Sequence, residues 1–223
     1  MGSAMHACSM LRADGRATLS LYHHCVFPYL LDFAMRSKVW RPLRRRTLAD
    51  ARGRILEIGF GTGMNLRYYP SSVKRIEAID PDVDLDRFSA PRIAASDIEV
   101  DFHHLDAEHL PFPADSFDTV TCTLTLCSIP DVEHALAEVR RVLKPGGRFL
   151  FLEHGLAPDP GVARWQHRLT PLQKRIGGGC HLDRPTARLV AGSGLSLDGV
   201  RNYYLPRLPR FVGYMTEGAA LKH

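Results

Sequence analysis

The chain has 223 residues, of which 45% are hydrophobic and 24% are charged. This length suits one α/β domain with a sizeable core, and the composition argues against a disordered or membrane-spanning chain. The net charge of +5 would suit a nucleic-acid partner, but the basic residues are spread along the sequence, and their one dense cluster, residues 44–46, is typical of a solvated helix face.

Two helices are predicted near the N-terminus. Between residues 27 and 39, apolar side chains recur at offsets of three and four with Asp32 on another face, which indicates an amphipathic helix. Pro42 permits a second helix through residues 44–49. Packing of these helices on the edge of a sheet is one expectation, and a position on a membrane surface is a lesser alternative.

A short apolar strand at residues 54–58 leads directly into three alternate glycines, Gly59, Gly61 and Gly63. Glycine lets the backbone turn sharply toward a ligand. The spacing is G-x-G-x-G, whereas dinucleotide-binding folds use G-x-G-x-x-G. Glu57 lies two residues before the first glycine, where a carboxylate would repel a phosphate but suit a cationic ligand. The alternative is an ordinary tight turn in an α/β protein.

A second strand at residues 76–79 ends in Asp80, about twenty residues after the first glycine. A carboxylate at this place can accept hydrogen bonds from both hydroxyls of a ribose. Short helices are predicted over residues 64–69 and 82–90, with Pro91 ending the second one.

Three further segments continue the alternation of strands and helices. Strands are predicted at residues 98–103, 118–124 and 148–153, and Asp131 is predicted to cap a helix before the last of them. His103, His104 and His109 suggest a metal cluster, but adjacent strand residues point to opposite faces. We therefore expect surface histidines and no metal site.

The C-terminal part departs from strict alternation. A helix is predicted over residues 161–169, followed by a flexible turn at 177–182 that carries Cys180 and His181. Asp183 is predicted to cap a helix over residues 185–192. Residues 195–205 and 211–217 are predicted to form a closing pair of strands.

The five cysteines are odd in number and form no C-x-x-C pair, so they indicate neither a zinc site nor a disulfide framework. Cys122 and Cys127 lie in or beside an apolar segment, where cysteine usually acts as a small hydrophobic residue. These thiols suit a reducing compartment, and we find no signal peptide. We therefore expect a cytoplasmic protein.

Several segments in this order and spacing resemble the class I S-adenosylmethionine-dependent methyltransferases. They are the glycine loop, Asp80, and residues 104–112, 117–120 and 141–147. The resemblance covers about residues 40–155. It implies S-adenosylmethionine as the cofactor and an α/β fold, with a Rossmann-like, seven-stranded, mostly parallel sheet and helices on both faces.

The resemblance also implies an organisation within a single domain, residues 1–223. Residues 1–50 would form an N-terminal helical lid to which Tyr29 or Trp40 contributes. Residues 51–154 would form the cofactor-binding core, and residues 155–223 a small acceptor-site insertion with the closing strands.

The same resemblance implies the cofactor-binding residues. An acidic residue after the third strand reads the adenine amine, and residues outside the carboxyl end of the fourth strand touch the methionine part or the substrate. The set is Glu57, Gly59, Gly61, Gly63, Asp80, Pro81, Asp106, Ala107, Thr123 and Leu124.

A narrower resemblance concerns the acceptor. Residues 122–128, 153–154 and 179–182 look like the methyltransferase-like 7 family, whose members methylate small thiols. This implies a small, apolar thiol substrate bound by Tyr29, Cys127, Trp165 and Cys180. It also implies His154 as the first candidate for a catalytic base or orienting group and His181 as the second, the alternative for each being a structural histidine.

Members of that family carry a longer hydrophobic N-terminal anchor, which we do not find in this sequence, so we expect at most peripheral membrane contact. Two other functions stay open. A methyltransferase for a quinone carbon or a lipid headgroup would fit residues 110–112 and 144–147 equally well. The basic balance suits a non-catalytic or RNA-facing cofactor-binding protein, although we expect no nucleic-acid partner.

Overall fold

The structure, a computed structural model, describes residues 21–223. Its strands are β1 (Ile55–Ile58), β2 (Arg75–Ile79), β3 (Glu99–His103), β4 (Phe117–Thr123), β5 (Leu143–His154), β6 (Ser196–Tyr204) and β7 (Tyr214–Leu221). Its helices are α1 (Phe27–Met35), α2 (Trp40–Leu48), α3 (Asp86–Ala94), α4 (Val132–Val142), α5 (Pro160–Ile176), α6 (Thr186–Gly192) and α7 (Arg210–Gly213). Short 3₁₀ turns occupy Leu66–Tyr68 and Val83–Leu85.

The seven strands form one sheet in the order β3-β2-β1-β4-β5-β7-β6. The first five pair in parallel, and β7 runs antiparallel to both β5 and β6. This confirms the predicted seven-stranded, mostly parallel fold. The strand order reverses between β1 and β4, and in open α/β sheets ligands bind beyond the carboxyl ends of the strands at such a point.

Helices cover both faces of the sheet because successive strand residues point to opposite sides. Leu56 belongs to a core cluster that includes α4 and α6 residues, whereas its neighbour Ile55 packs in a second cluster with Leu48 of α2. All four residues of β1 are buried. This is why the central strands are short continuous apolar runs in the sequence.

Helix α4 follows its predicted pattern. Asp131 caps it, with its Oδ1 accepting a hydrogen bond from the backbone N of His134 at 3.0 Å. Its buried stripe consists of Val132, Ala135, Leu136, Val139 and Val142.

Several predicted boundaries were wrong. Pro91 lies inside α3 instead of ending it, because its fixed φ is compatible with a helix and only one backbone hydrogen bond is lost. Helix α2 begins at Trp40, and α5 continues to Ile176. Asp183 does not cap α6, since its Oδ2 lies 2.8 Å from Nδ1 of His167.

An ion pair ties α2 to the sheet. Arg46 donates from Nε and Nη2 to the two carboxylate oxygens of the buried Glu217 on β7, at 2.6 and 2.7 Å. Among residues 21–223, no helix combines the length and the apolar character that crossing a membrane requires.

Candidate active site

A cavity of about 650 Å³ opens at the carboxyl ends of the central strands. Its floor includes Ile58 and Ile79, the last residues of β1 and β2. Further parts of its wall are apolar side chains from α1, from the start of α2 and from the segment between β6 and β7. These include Leu30, Leu31, Met35, Trp40, Leu208 and Val212.

The structure brings most of the predicted site residues to this cavity. Those that line it are Gly59, Gly61, Asp80, Pro81, Asp106, Ala107, Thr123, Leu124, Cys127, His154 and Cys180. They come from the carboxyl ends of the five parallel strands and from one distant loop, so the parallel sheet is what assembles them.

The glycine loop requires glycine for two different reasons. Gly59 has a φ of +72°, and a Cβ there would lie 2.1 Å from the side chain of Thr125. Gly61 has a φ of +55°, but a Cβ there would meet nothing closer than the Gly59 carbonyl oxygen at 4.0 Å. The position of Gly61 therefore keeps space free at the cavity wall.

Asp80 stabilises the same loop. Its Oδ2 accepts a hydrogen bond from the backbone N of Gly61 at 2.7 Å, and its Oδ1 accepts one from the backbone N of Asp82 at 2.9 Å. Burial raises the pKa of this carboxyl, and the two amide bonds act in the opposite direction. Each carboxylate oxygen has a further lone pair available for a ligand hydroxyl.

Glu57 is at the centre of a buried polar network that the sequence did not reveal. Asn65 Nδ2 donates to its Oε1 at 2.8 Å, and the Tyr69 hydroxyl donates to its Oε2 at 2.7 Å. Arg44 donates from Nη1 to Asn65 Oδ1 at 2.6 Å and to Thr123 Oγ1 at 2.9 Å. Burial raises the pKa of Glu57 to about 7.

This network corrects two predictions. Arg44 does not belong to a solvated helix face, because it is buried beneath α2 and lines the cavity. Glu57 does not itself line the cavity, and its network partners Asn65 and Arg44 do. Gly63 also lies outside the cavity wall, where a Cβ would be 3.3 Å from the ring of Phe60.

Helix α1 is held over the glycine loop. Asp32, predicted to lie away from the apolar face, is buried and pairs with Arg92 of α3, with 2.7 Å between Oδ1 and Nη1. Arg92 in turn donates to the carbonyl oxygen of Thr62 at 2.5 Å. The predicted lid, residues 1–50, lies partly outside the described residues, and its closure stays a prediction.

One part of the cavity wall holds a cluster of Cys127, His154 and Cys180. Nε2 of His154 lies 3.2 Å from Sγ of Cys180, and one potential ligand atom from each of the three residues lies within 4.8 Å of the others. The side chains come from the loop after β4, the end of β5 and the loop after α5. Cys127 is therefore not simply a small hydrophobic residue.

The cluster changes the ionisation of its members. The hydrogen bond with Cys180 lowers the pKa of the Cys127 thiol well below its usual range, and His154 acts in the same direction. That same bond raises the pKa of Cys180. Burial by itself would lower the pKa of His154, but the charge of Cys127 and its hydrogen bond raise it more.

Glu153 is a buried residue to which the sequence analysis assigned no role of its own. Its Oε1 accepts hydrogen bonds from the backbone N of Thr125 at 2.8 Å and of Leu126 at 3.0 Å, so it fixes the loop that carries Cys127. Burial raises its pKa to about 8. Its position directly before His154 at the end of an apolar strand was the available signal.

Three predicted acceptor-site residues lie outside the cavity wall. Trp165 is 58% exposed on α5, and Tyr29 is 55% exposed and packs edge-on against Phe88. His181 instead contacts the carbonyl oxygen of Cys127 through Nδ1 at 3.1 Å. The cavity is lined by other faces of α1 and α5 than those that carry Tyr29 and Trp165.

Two other expectations concern metal ligands and cysteines. Besides the cluster above, the described residues bring Glu77, Asp101 and His103 together, so two groups of possible metal ligands exist where the sequence indicated none.

Cys122, Cys127 and Cys180 are free, whereas Cys25 is disulfide-bonded. The cysteine spacing did not indicate that disulfide.

Comparisons with known proteins agree with this arrangement. Residues 56–151 match the model of a methyltransferase domain. The thiol S-methyltransferase TMT1B of Rattus norvegicus is 37% identical over 180 residues, covering 72% of this chain and 71% of that protein. The demethylmenaquinone methyltransferase of Clavibacter sepedonicus is 37% identical over 128 residues, which cover 57% of this chain and 52% of that protein.

A solved structure is similar as well. The YcgJ protein of Bacillus subtilis is 26% identical and superposes with a TM-score of 0.62, covering 75% of this chain and 72% of that one.

Proposed function

Because the chain belongs to the class I S-adenosylmethionine-dependent methyltransferases, we propose that it methylates the sulfur of a small, apolar thiol. One observation carries the choice of acceptor: the wall of the apolar cavity at the carboxyl ends of the strands includes the cluster of Cys127, His154 and Cys180. The 37% sequence identity to a thiol S-methyltransferase, which extends over 71% of that protein's length, supports the same choice.

The cavity fits the cofactor on the evidence of its own residues. Gly61 leaves open space where a side chain would project, and Asp80 places a buried carboxylate at the end of β2. We propose that Asp80 binds the ribose hydroxyls and that Asp106 and Ala107 contact the adenine. Gly59, Pro81, Thr123 and Leu124 would line the remaining surface.

When bound, S-adenosylmethionine supplies an electrophilic methyl group on a sulfonium. The Glu57 carboxylate lies behind Asn65, which lines the cavity, so when ionised it would favour the sulfonium cation without touching it. A carboxylate near a cation favours its charged form, so ligand binding is expected to lower the pKa of Glu57.

The chain must also align the acceptor and exclude water. The apolar side chains of Leu30, Met35 and Val212 form one wall and disfavour charged acceptors. His154 is the proposed group that orients the acceptor sulfur. His181 holds the carbonyl of Cys127 and would act only as a positioning residue.

A panel of acceptors tests this proposal. The purified full chain is incubated with S-adenosylmethionine and, in turn, with small apolar thiols, charged thiols, a phenolic quinone precursor and phosphatidylethanolamine vesicles. We expect formation of the demethylated cofactor with apolar thiols, slower turnover with charged thiols, and none with the other two. Turnover on the quinone precursor alone would favour the second candidate, which the demethylmenaquinone methyltransferase match supports, and would overturn the thiol assignment.

A further inference from the structure

We infer that Cys127, His154 and Cys180 form a binding site for one thiophilic divalent cation, with zinc as the expected ion, and that its fourth coordination position faces the cavity. The metal site rests on the geometry of these three side chains alone. Its role, which is to hold the acceptor sulfur, rests on the proposed function.

The spacing of the three side chains fits a tetrahedral ion. With zinc–sulfur bonds of about 2.3 Å and zinc–nitrogen bonds of about 2.0 Å, tetrahedral ligands lie about 3.8 Å apart for two sulfurs and about 3.5 Å apart for sulfur and nitrogen. In the structure, the three candidate ligand atoms lie within 4.8 Å of one another, and His154 Nε2 lies 3.2 Å from Cys180 Sγ. Small rotations of the side chains are enough to accommodate the ion.

The donor set points to a site with an open position. Two thiolates and one imidazole are ligands that zinc prefers, and catalytic zinc sites use three protein ligands and leave the fourth position to water or substrate. All three residues line the cavity. An ion at this place would therefore be reachable by a molecule that enters the cavity.

The loops that carry the two cysteines are held together before any ion binds. The backbone N of His181 donates to the carbonyl oxygen of Cys127 at 2.8 Å, and the His181 ring contacts that same oxygen at 3.1 Å. Gly179 has a φ of +82°, which a residue with a side chain rarely adopts. This backbone arrangement brings Cys180 next to Cys127.

Charge compensation is also present. The guanidinium of the buried Arg184 donates to the carbonyl oxygens of Leu126 and Ile129, on either side of Cys127, the latter bond being 2.5 Å. A site made of a divalent ion, two thiolates and a neutral histidine has no net charge. The thiolate of a bound acceptor would add one negative charge. Arg184 is placed to stabilise that charge.

In methyl transfer, the ion would hold the acceptor sulfur as a thiolate. When the acceptor thiol binds the ion, its S–H bond breaks, its proton goes to solvent and a sulfur–metal bond forms. A lone pair of this thiolate forms the new bond to the methyl carbon, and the electron pair of the broken sulfonium–carbon bond stays on the cofactor sulfur. The product is a neutral thioether, which is a weak ligand and leaves the ion.

Cobalt binding tests the site without relying on activity. The full chain is treated with a chelator, kept free of oxidant and titrated with Co²⁺, and then with Zn²⁺ in competition. We expect one equivalent to produce the visible bands of tetrahedral cobalt and a thiolate-to-cobalt charge-transfer band, both abolished by zinc. Absence of these bands, or mass-spectrometric detection of a Cys127–Cys180 disulfide in place of binding, would overturn the site.

Variants assign the ligands. Cys127→Ser and Cys180→Ser are each expected to weaken zinc binding at least about a hundredfold. Cys122→Ala changes a buried free cysteine outside the cluster, and His103→Asn changes the other group of possible ligands; neither is expected to alter the affinity. Unchanged binding in the Cys127→Ser, Cys180→Ser double variant would contradict the assignment.

The role of the ion is tested separately from the function. Thiol methylation that is lost in the chelated protein and restored by one equivalent of zinc supports it. Unchanged methylation in the chelated protein overturns the role while leaving the proposed function intact. Tight cobalt binding without methylation of any thiol would instead refute the proposed function and leave the metal site standing.

Discussion

The contribution of Asp80 to cofactor binding is open to a quantitative test. In Asp80→Ala, the ligand loses a charged acceptor for its ribose hydroxyls, and two hydrogen bonds to an ionised acceptor contribute about 2 kcal/mol net. The expected result is an increase of about thirtyfold in the Kd of S-adenosylhomocysteine, measured by isothermal titration calorimetry. The amides of Gly61 and Asp82 also lose their acceptor, so the free energy of unfolding should fall by about 2 kcal/mol as well.

A matched control separates the two effects. Asp118 accepts a hydrogen bond from the backbone N of Arg54 at 2.7 Å and pairs with Lys144 at 2.8 Å, at the opposite end of β4 from the cavity. Asp118→Ala is expected to reduce stability to a similar extent without changing cofactor affinity. In addition, the wild type should bind a 2′-deoxy analogue more weakly than it binds S-adenosylhomocysteine. Asp80→Ala should bind the two ligands with equal affinity. Equal losses in both proteins would refute the ribose contact.

Three further outcomes are expected. The pKa of Glu57 is raised from 4.5 to about 7 in the folded chain, so its contribution to stability is present at low pH and is lost as pH rises through 7. In urea unfolding, the wild type should lose about 3 kcal/mol of unfolding free energy relative to Glu57→Gln between pH 4.5 and 8. Parallel pH profiles of the two proteins would contradict this. Gly61→Ala and Gly146→Ala, both at positive φ with open space around the added Cβ, should each cost about 1 kcal/mol of stability, but only Gly61→Ala should weaken cofactor binding in calorimetry. Arg184→Met leaves the carbonyls of Leu126 and Ile129 without their hydrogen-bond donor. The free energy of unfolding in urea titrations should therefore fall by about 2 to 4 kcal/mol. A loss below about 0.5 kcal/mol would show that water replaces the guanidinium.

Local patterns in the sequence predicted the fold well. The apolar run of β1, the glycines that follow it and the acidic residue that ends β2 are close in sequence, and each has a backbone or burial requirement that few residue types meet. The position of Asp80 at a strand end followed directly from that pattern. The cap at Asp131 was equally local.

The side-chain environment depended on packing between distant segments and was harder to predict. Arg44 belongs to a run of three arginines, but the helix direction buries only one of them, against Asn65 and Thr123. Trp165 was expected at the acceptor from the family resemblance, yet the cavity meets another face of α5. The Cys127, His154 and Cys180 cluster joins three segments with no common spacing, which is why the cysteine count gave no indication of it.

The most direct measurement is the transfer of an isotopically labelled methyl group from S-adenosylmethionine in a single turnover. The full chain is mixed with the labelled cofactor and an apolar thiol, and the products are analysed by mass spectrometry. We expect one labelled methyl on the acceptor sulfur for each equivalent of demethylated cofactor formed. Cofactor that stays intact in the presence of every thiol, or a label found on carbon or nitrogen only, would contradict it.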